Sequence, residues 1–158
     1  MPNLQEGLVL SGRVRVQAHD AQGNLVWDGG WLPNKLTNYM ANVLAQWLTG
    51  VNNTGYNPVL PPLYVEAGTG SGTPAPTDTN LFTPVSATYG RTSIQDTPSN
   101  GVAEFVSQYY GDANNSGDYT EVGLFDANGN MFAHTMYSFS IASGQTTTIT
   151  WDITMSPS

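Results

Sequence analysis

The segment "TTTITWDITM" (residues 146–155) changes side-chain character at every second position and predicts a half-buried β-strand. One face would carry Thr147, Ile149, Trp151, Ile153 and Met155. The other face would carry Thr146, Thr148, Thr150, Asp152 and Thr154. This alternation is typical of an antiparallel sheet that packs one face on a core and turns the other toward water.

Similar strand patterns recur on the N-terminal side of this segment. "GRVRVQAHD" (12–20) and "LVWDGGW" (25–31) predict a hairpin within residues 1–33. Further strands are predicted at "LYVEAG", "VAEFVSQYY", "YTEVGLFD" and "MFAHTMYSFSIA", which begin at residues 63, 102, 119 and 131. The expected fold is therefore mainly β: one domain over residues 1–158, an antiparallel sandwich or barrel-like structure of about seven or eight strands.

One segment has helical rather than strand periodicity. "NKLTNYMANVLAQWLTG" (34–50) predicts a helix at about 35–48, packed on the sheet. Its apolar stripe would be formed by Leu36, Met40, Val43, Leu44, Trp47 and Leu48. Asn34 or Thr37 would cap the start, and Gly50 would end the helix.

The composition excludes several classes of function. Only 10% of the 158 residues are charged, and the formal net charge is −8. An acidic chain is poorly suited to nucleic-acid phosphates or an anionic membrane surface, so neither partner is expected. There is no cysteine for a disulfide or thiolate site, no apolar run long enough to span a membrane, and no signal-peptide pattern in "MPNLQEGLVLSG".

The stretch "FDANGNMFAHT" (125–135) invites a calcium-loop interpretation, and "HDAQGNLVWDG" (19–29) echoes it. Counting from Asp126, the glycine expected at position 6 and the glutamate expected at position 12 are replaced by Met131 and Tyr137. A hairpin explains the stretch better, because Asn-Gly tolerates the positive φ angles of a type I′ turn. The repeated phrase therefore predicts two hairpins with similar tips.

A second polar stretch, "DANNSGD" (112–118), fits a cation loop more closely. Its candidate ligands are Asp112, Asn114, Ser116 and Asp118. Position 12 is Gly123, however, so the bidentate carboxylate of such a loop is absent. A plain polar turn is the favoured interpretation.

The chain contains no recognisable catalytic constellation, so an enzyme is not expected. There are two histidines, His19 and His134, and no G-x-S-x-G nucleophile elbow. "GTGSGT" lacks the lysine of a phosphate loop and is followed by prolines, so no cofactor is predicted. His134 alternates with Phe132 and Met136 and is expected to be a packed or interface histidine. The Tyr and Trp content leaves a carbohydrate-binding module open, and the scattered acids leave a glycan hydrolase open.

One charged pair is predicted from elimination of other partners. Glu121 shares a strand face with Tyr119 and Phe125 and would be partly buried, so its carboxylate would need a partner. Arg91 is the one basic residue after Lys35. The sequence therefore predicts an Arg91–Glu121 pair whose loss would weaken folding or assembly, with two exposed, unpaired charges as the alternative.

The order of the motifs resembles a broad group of structural proteins of tailed bacteriophages and prophages. The resemblance covers roughly residues 34–156: the helix, "YVEAGTGSGTPAPTDTNL", the isolated Arg91, "TEVGLFDANGN" and the closing "TITWDI" strand. It implies a β-rich virion component without catalysis, assembled in the bacterial host cytoplasm. The chain would form a symmetric homo-oligomer, with a trimer as the first guess, and would dock on other virion proteins. Tail, baseplate or fibre is favoured over capsid decoration.

The long segment 68–80 acquires a role from this resemblance. Its composition is almost free of apolar side chains, and a loop of that length is usually functional or an extended arm. We expect it to reach over a neighbouring subunit and to become ordered on assembly. The residues assigned to this arm are Gly68, Thr69, Gly70, Pro74, Pro76 and Asp78.

Overall fold

A computed structural model describes residues 7–50, 60–86 and 91–157, apart from the side chains of Leu8, Arg91, Ser93, Gln95 and Asp96. Within these residues the chain forms nine strands and one helix. In chain order they are β1 (Leu8–His19), β2 (Leu25–Pro33), β3 (Lys35–Leu36), α1 (Asn38–Thr49), β4 (Pro62–Gly68), β5 (Arg91–Ser99), β6 (Val102–Tyr110), β7 (Gly117–Asp126), β8 (Met131–Ile141) and β9 (Thr146–Pro157).

The strands form two antiparallel sheets that share β5. Sheet A has the order β2-β1-β9-β6-β5, and sheet B continues as β5-β4-β7-β8-β3. The core lies between them, because the inner faces of both sheets are apolar: Val14, Val16, Ile149 and Trp151 from sheet A, and Val65, Val122, Leu124 and Ala133 from sheet B, are all fully buried. The predicted mainly β, sandwich-like fold is confirmed.

The described strands exceed the seven or eight predicted because two have weak sequence signals. β3 is two residues long and pairs only with Ala133 and His134 of β8. β5 reads "RTSIQDTPS", which lacks the apolar alternation that marks a strand. Its pairing with β6 follows from the turn between them, where Asn100 and Gly101 have φ angles of 49° and 79°. Positive φ at both central residues is the signature of a type I′ hairpin turn.

The helix starts later than predicted, at Asn38 instead of about residue 35. Thr37 is the N-cap: its backbone is extended, and its hydroxyl accepts the N–H of Met40 at 3.2 Å. The same hydroxyl donates to the carbonyl of Met131 at 2.6 Å, which ties the cap to sheet B. Gly50 ends the helix in the left-handed region at φ 70°, as predicted.

Not all of the predicted apolar stripe of α1 is buried. Met40 and Val43 pack into the core, and Leu36 belongs to β3 instead of the helix. Trp47 is 49% exposed and Leu48 86% exposed. The C-terminal turn of the helix therefore extends beyond the sheets and presents apolar side chains to solvent.

The chain crosses from sheet A to sheet B between β2 and β3, at Asn34. The Asn34 backbone N–H donates to the carbonyl of Gly12 at 3.1 Å. With its amide oriented to satisfy both neighbours, the Asn34 side chain donates to the same carbonyl and accepts the indole N–H of Trp151. Trp151 is fully buried, so this contact gives a core indole the acceptor that it needs.

Candidate functional site

The most elaborate polar arrangement lies on the outer face of sheet B. There the segment 69–86, which we call the cover loop, folds over β7 and β8. Glu121 of β7 and His134 of β8 are both fully buried beneath it. The Nε2 atom of His134 lies 2.8 Å from Oε2 of Glu121, and its Nδ1 atom lies 2.7 Å from Oδ2 of Asp78 in the cover loop.

The carboxylate of Glu121 holds the cover loop by its backbone. Oε1 accepts the N–H groups of Gly70 at 3.0 Å and Thr83 at 2.8 Å. Oε2 accepts the N–H of Phe82 at 2.9 Å. One buried side chain thus supplies the acceptors for three amides of an irregular loop, whose backbone N–H groups have no partner in a helix or sheet.

Two glycines of the "AGTG" stretch make this approach possible. A Cβ atom at Gly68 or at Gly70 would lie 2.6 Å from Oε1 of Glu121. At Gly70 it would also meet the backbone nitrogen of Thr83 at 2.7 Å. Glycine is therefore required here by close approach to a carboxylate, not by affinity for phosphate.

His134 is held between two carboxylates and under an aromatic ring. Asp78 Oδ2 also accepts the N–H of Ala75 at 2.9 Å, and the Phe82 ring centre lies 4.8 Å from the imidazole. Both ring nitrogens thus lie within hydrogen-bond distance of a carboxylate oxygen, and the imidazole connects Glu121 of β7 to Asp78 of the cover loop.

The environment of Glu121 acts on its pKa in two opposite directions. Burial raises the pKa of Glu121, because it disfavours the charged form. The amides of Thr83, Phe82 and Gly70, together with His134, donate hydrogen bonds to the charged form and lower the pKa. The hydrogen bonds outweigh burial, and the pKa lies below its ordinary value.

Chemically, this arrangement is suited to holding a loop rather than to transforming a substrate. Glu121 and His134 are enclosed, and their polar atoms are engaged by each other and by the cover loop. Among the described residues, no group of three or more His, Asp or Glu side chains is arranged to hold a metal ion. We call Asp78, His134 and Glu121, with the amides that they bind, the loop lock.

The cover loop folds onto its own domain in the single chain, and the extended arm predicted at 68–80 for the assembly stays a prediction. The N–H of Thr69 donates to the carbonyl of Thr83 at 3.0 Å, and Gly68 forms a bridge with Pro84. The carbonyl of Pro76 accepts the N–H of Asn38 at 2.8 Å, which joins the loop to α1. The loop can stay on its own domain because Glu121 and His134 satisfy its polar groups, which composition alone does not reveal.

The predicted Arg91–Glu121 pair stays a prediction, since the Arg91 side chain lies outside the described part of the structure. The backbone register places Arg91 opposite Glu66 of β4, and Glu121 lies one strand further on, opposite Gly68. The expected burial of Glu121 is correct. Its partners within the described residues are His134 and the loop amides.

The two echoed loops have the same hydrogen-bonding pattern. In 20–24, Asp20 Oδ1 accepts the N–H groups of Gln22 and Asn24, both at 2.9 Å. In 126–130, Asp126 Oδ1 accepts those of Asn128 at 2.9 Å and Asn130 at 3.0 Å.

Only the glycines of these two tips have positive φ: 83° at Gly23 and 82° at Gly129. The prediction of a type I′ turn at Asn-Gly is therefore wrong, since that turn needs two positive φ angles. An aspartate-capped loop replaces it. The second loop is also tied to α1, because Tyr39 donates to Asp126 at 2.9 Å.

The candidate cation loop at 112–118 is likewise organised around its first aspartate. Asp112 Oδ1 accepts the N–H groups of Asn114 at 2.8 Å and Asn115 at 3.0 Å. Asp118 accepts the Ser140 hydroxyl at 2.5 Å across the sheet. These bonds are those of a polar turn that needs no ion.

Two surface features lie away from the loop lock. The first, which we call the helix-end groove, is an apolar hollow of about 220 Å³ between the end of α1 and sheet A. Its lining includes Leu44, Trp47, Pro98, Phe105 and Met155. The second, the Trp27 cleft, consists of adjoining hollows of about 530 and 590 Å³ that share Trp27, Thr120 and Ser138.

Comparisons of the chain with protein-family models, curated proteins and solved structures give no match. Among the described residues, no helix has the length and apolar character needed to cross a membrane. The function of the chain is therefore inferred from its own motifs and surfaces.

Proposed function

We propose that this chain is a non-enzymatic structural component of a tailed-phage virion, which self-associates and docks on other virion proteins. The order of sequence motifs supports the class of protein. Several of those motifs meet in the loop lock: the Gly-Thr-Gly stretch, Asp78 and Glu121. Their joint use in holding a loop is consistent with a building block, because none of them is left available for chemistry.

The observation that carries self-association is the exposed apolar surface around the helix-end groove. Trp47 and Met155 line the groove and are 49% and 36% exposed, and the exposed Leu48 and Leu63 directly follow the lining residues Trp47 and Pro62 in the chain. Contiguous apolar side chains at a protein surface mark interaction sites, and interface cores are poor in charge.

The charge of this surface favours a second copy of the chain as the occupant. Two copies with a net charge of −8 repel each other over most of their surfaces. Glu104 is the one charged residue among the groove's lining residues, and the others are mostly apolar. Copies can therefore approach through this region with little repulsion.

The proposed assembly is a closed, symmetric homo-oligomer, with a trimer as the first guess. A tail, baseplate or fibre position is favoured over capsid decoration, in line with the sequence resemblance. Either position requires a stable subunit with surfaces for itself and for other virion proteins.

Light scattering on the purified protein tests self-association. We expect a discrete oligomer, and we expect Trp47→Asp to shift it toward the monomer, because Trp47 lines the groove and is 49% exposed. Val26→Asp is a matched control, since Val26 is 49% exposed on edge strand β2 and does not line the groove. A monomer at all concentrations, or equal effects of both substitutions, would contradict the proposed surface.

A further inference from the structure

The side chains that line the Trp27 cleft have no role in the proposed self-association through the helix-end groove. It lies where the edge of β2 approaches β8 and the start of the cover loop, and it is built from fully described residues. Each of its two hollows falls within the size range of small-molecule sites. Trp27 stands between them and is 40% exposed.

The floor of the cleft keeps Trp27 in place. A Cβ atom at Gly29 would lie 2.5 Å from the indole of Trp27 and 2.4 Å from the hydroxyl of Tyr137. Tyr137 in turn donates to the carbonyl of Gly30 at 2.5 Å and accepts the N–H of Val16 at 3.2 Å. The indole thus approaches Gly29 closely, beside the Tyr137 hydroxyl, while part of its surface faces solvent.

The remaining lining combines apolar side chains, such as Leu32, Met136 and Phe139, with short polar groups, and it is almost uncharged. Hydroxyl groups come from Ser71, Thr120, Ser138 and Ser140, and an amide comes from Gln145. The charged group is Asp118, which accepts one hydrogen bond through Oδ1, from Ser140, so that Oδ2 can accept from a ligand. From Met136 to Ser140 the cleft follows β8 for about 13 Å.

We infer that the Trp27 cleft binds a short neutral oligosaccharide. A sugar ring offers an apolar C–H face that packs on an indole and a rim of hydroxyls that pair with serine, threonine, amide and carboxylate groups. The cleft supplies both, and its length suits more than one sugar unit. The lining contains no lysine or arginine, so phosphorylated, sulfated or acidic sugars have no cation to pair with and meet the repulsion of Asp118.

This inference does not depend on the virion assignment, because it concerns a different surface from the helix-end groove. A chain that fails to bind sugars can still be a virion subunit, and a sugar-binding chain can be absent from particles. The two proposals therefore fail in distinguishable experiments.

The test is an NMR and calorimetric titration of the purified protein with neutral trisaccharides (maltotriose, cellotriose and chitotriose), followed by a wider glycan array. We expect at least one neutral glycan to bind and to shift the indole N–H signal of Trp27. Trp27→Ala should weaken that binding about tenfold or more, a loss of about 1.4 kcal/mol. Sialyllactose, as an acidic probe, should not bind.

Two further variants separate a loss of the cleft from a loss of folding. Ser138→Phe fills the cleft from an exposed position without altering Trp27, and it should also abolish binding while the melting temperature is kept. Trp47→Ala removes the half-exposed tryptophan of the helix end and should leave sugar binding unchanged. The inference is overturned if no neutral glycan binds, if Ser138→Phe binds as well as wild type, or if Trp27→Ala changes only the oligomeric state.

Discussion

Replacing Glu121 by alanine should unfold the loop lock and weaken the whole domain. The carboxylate accepts three loop amides, from Gly70, Phe82 and Thr83, and faces His134 at 2.8 Å. An unsatisfied buried donor costs about 1–3 kcal/mol, and the substitution leaves three loop amides and one imidazole nitrogen without their partner. These contributions overlap, because water can enter the space left by the side chain and the loop can lift away. We expect a loss of about 3–5 kcal/mol.

A loss of that size is a large part of the stability of an ordinary domain, which is about 5–15 kcal/mol. For a chain of this length it corresponds to a fall in melting temperature of roughly 10 °C. Urea unfolding followed by tryptophan fluorescence gives the free energy. Hydrogen exchange then shows whether the amides of Gly70, Phe82 and Thr83 lose protection first.

Asp118→Ala is the matched control, because Asp118 is an exposed carboxylate on the same strand. It should change the free energy of unfolding by no more than about 0.5 kcal/mol. A loss below about 1 kcal/mol in Glu121→Ala would refute the loop lock as a stabilising feature. Unchanged protection of the three amides would do the same.

Three other predictions follow from the same structure. In the folded protein the pKa of Glu121 lies below its ordinary value of 4.5, because the ionised carboxylate stabilises the fold. This stabilisation is fully present above pH 4.5 and is lost as the pH falls through the pKa of the folded protein. Between pH 7 and pH 3, the free energy of urea unfolding should therefore fall more steeply in wild type than in Glu121→Gln. Parallel plots of this free energy against pH would contradict the prediction. The pKa of Glu104 is raised by burial and by Asp152, so the protonated carboxyl favours the folded state. This stabilisation is lost as the pH rises through the pKa of the folded protein. Glu104→Gln should raise the free energy of unfolding by about 0.5 kcal/mol at pH 7 and leave it unchanged at pH 3. Equal effects at both pH values would argue against this explanation. Gly70→Ala should cost about 2 kcal/mol, because its Cβ would lie 2.5 Å from that of Phe82, whereas the exposed Gly72→Ala meets only the flexible Phe82 ring and should cost less. Thermal melts of the two variants check this order.

The strands with strong alternation were predictable from the sequence, and those without it were not. Residues 146–155 lie within β9, and the predicted face of Ile149, Trp151 and Ile153 is the buried one. β5 has a polar sequence, and its place in both sheets depends on the Asn100–Gly101 turn and on pairing with β4 and β6. Such pairing depends on distant residues, so a local pattern cannot reveal it.

The residues of the loop lock were likewise predictable one by one, but their contacts with one another were not. Glu121 was expected to be buried and in need of a partner, and His134 was expected to be packed, but the two were not connected. A signal was present: both lie in adjacent strands on the same outer face, with Gly123 opposite His134. The third member, Asp78, comes from a segment without regular structure, where sequence spacing says nothing about contact.

The most direct test of the virion assignment is the protein composition of purified particles. Tailed phage particles produced from the genome that encodes this chain can be isolated on a density gradient and measured by quantitative mass spectrometry. The proposal predicts that the chain remains with intact particles at a fixed copy number. A few copies per particle would fit the tail, and hundreds would fit a capsid lattice. Absence of the chain from intact, infectious particles would contradict the account.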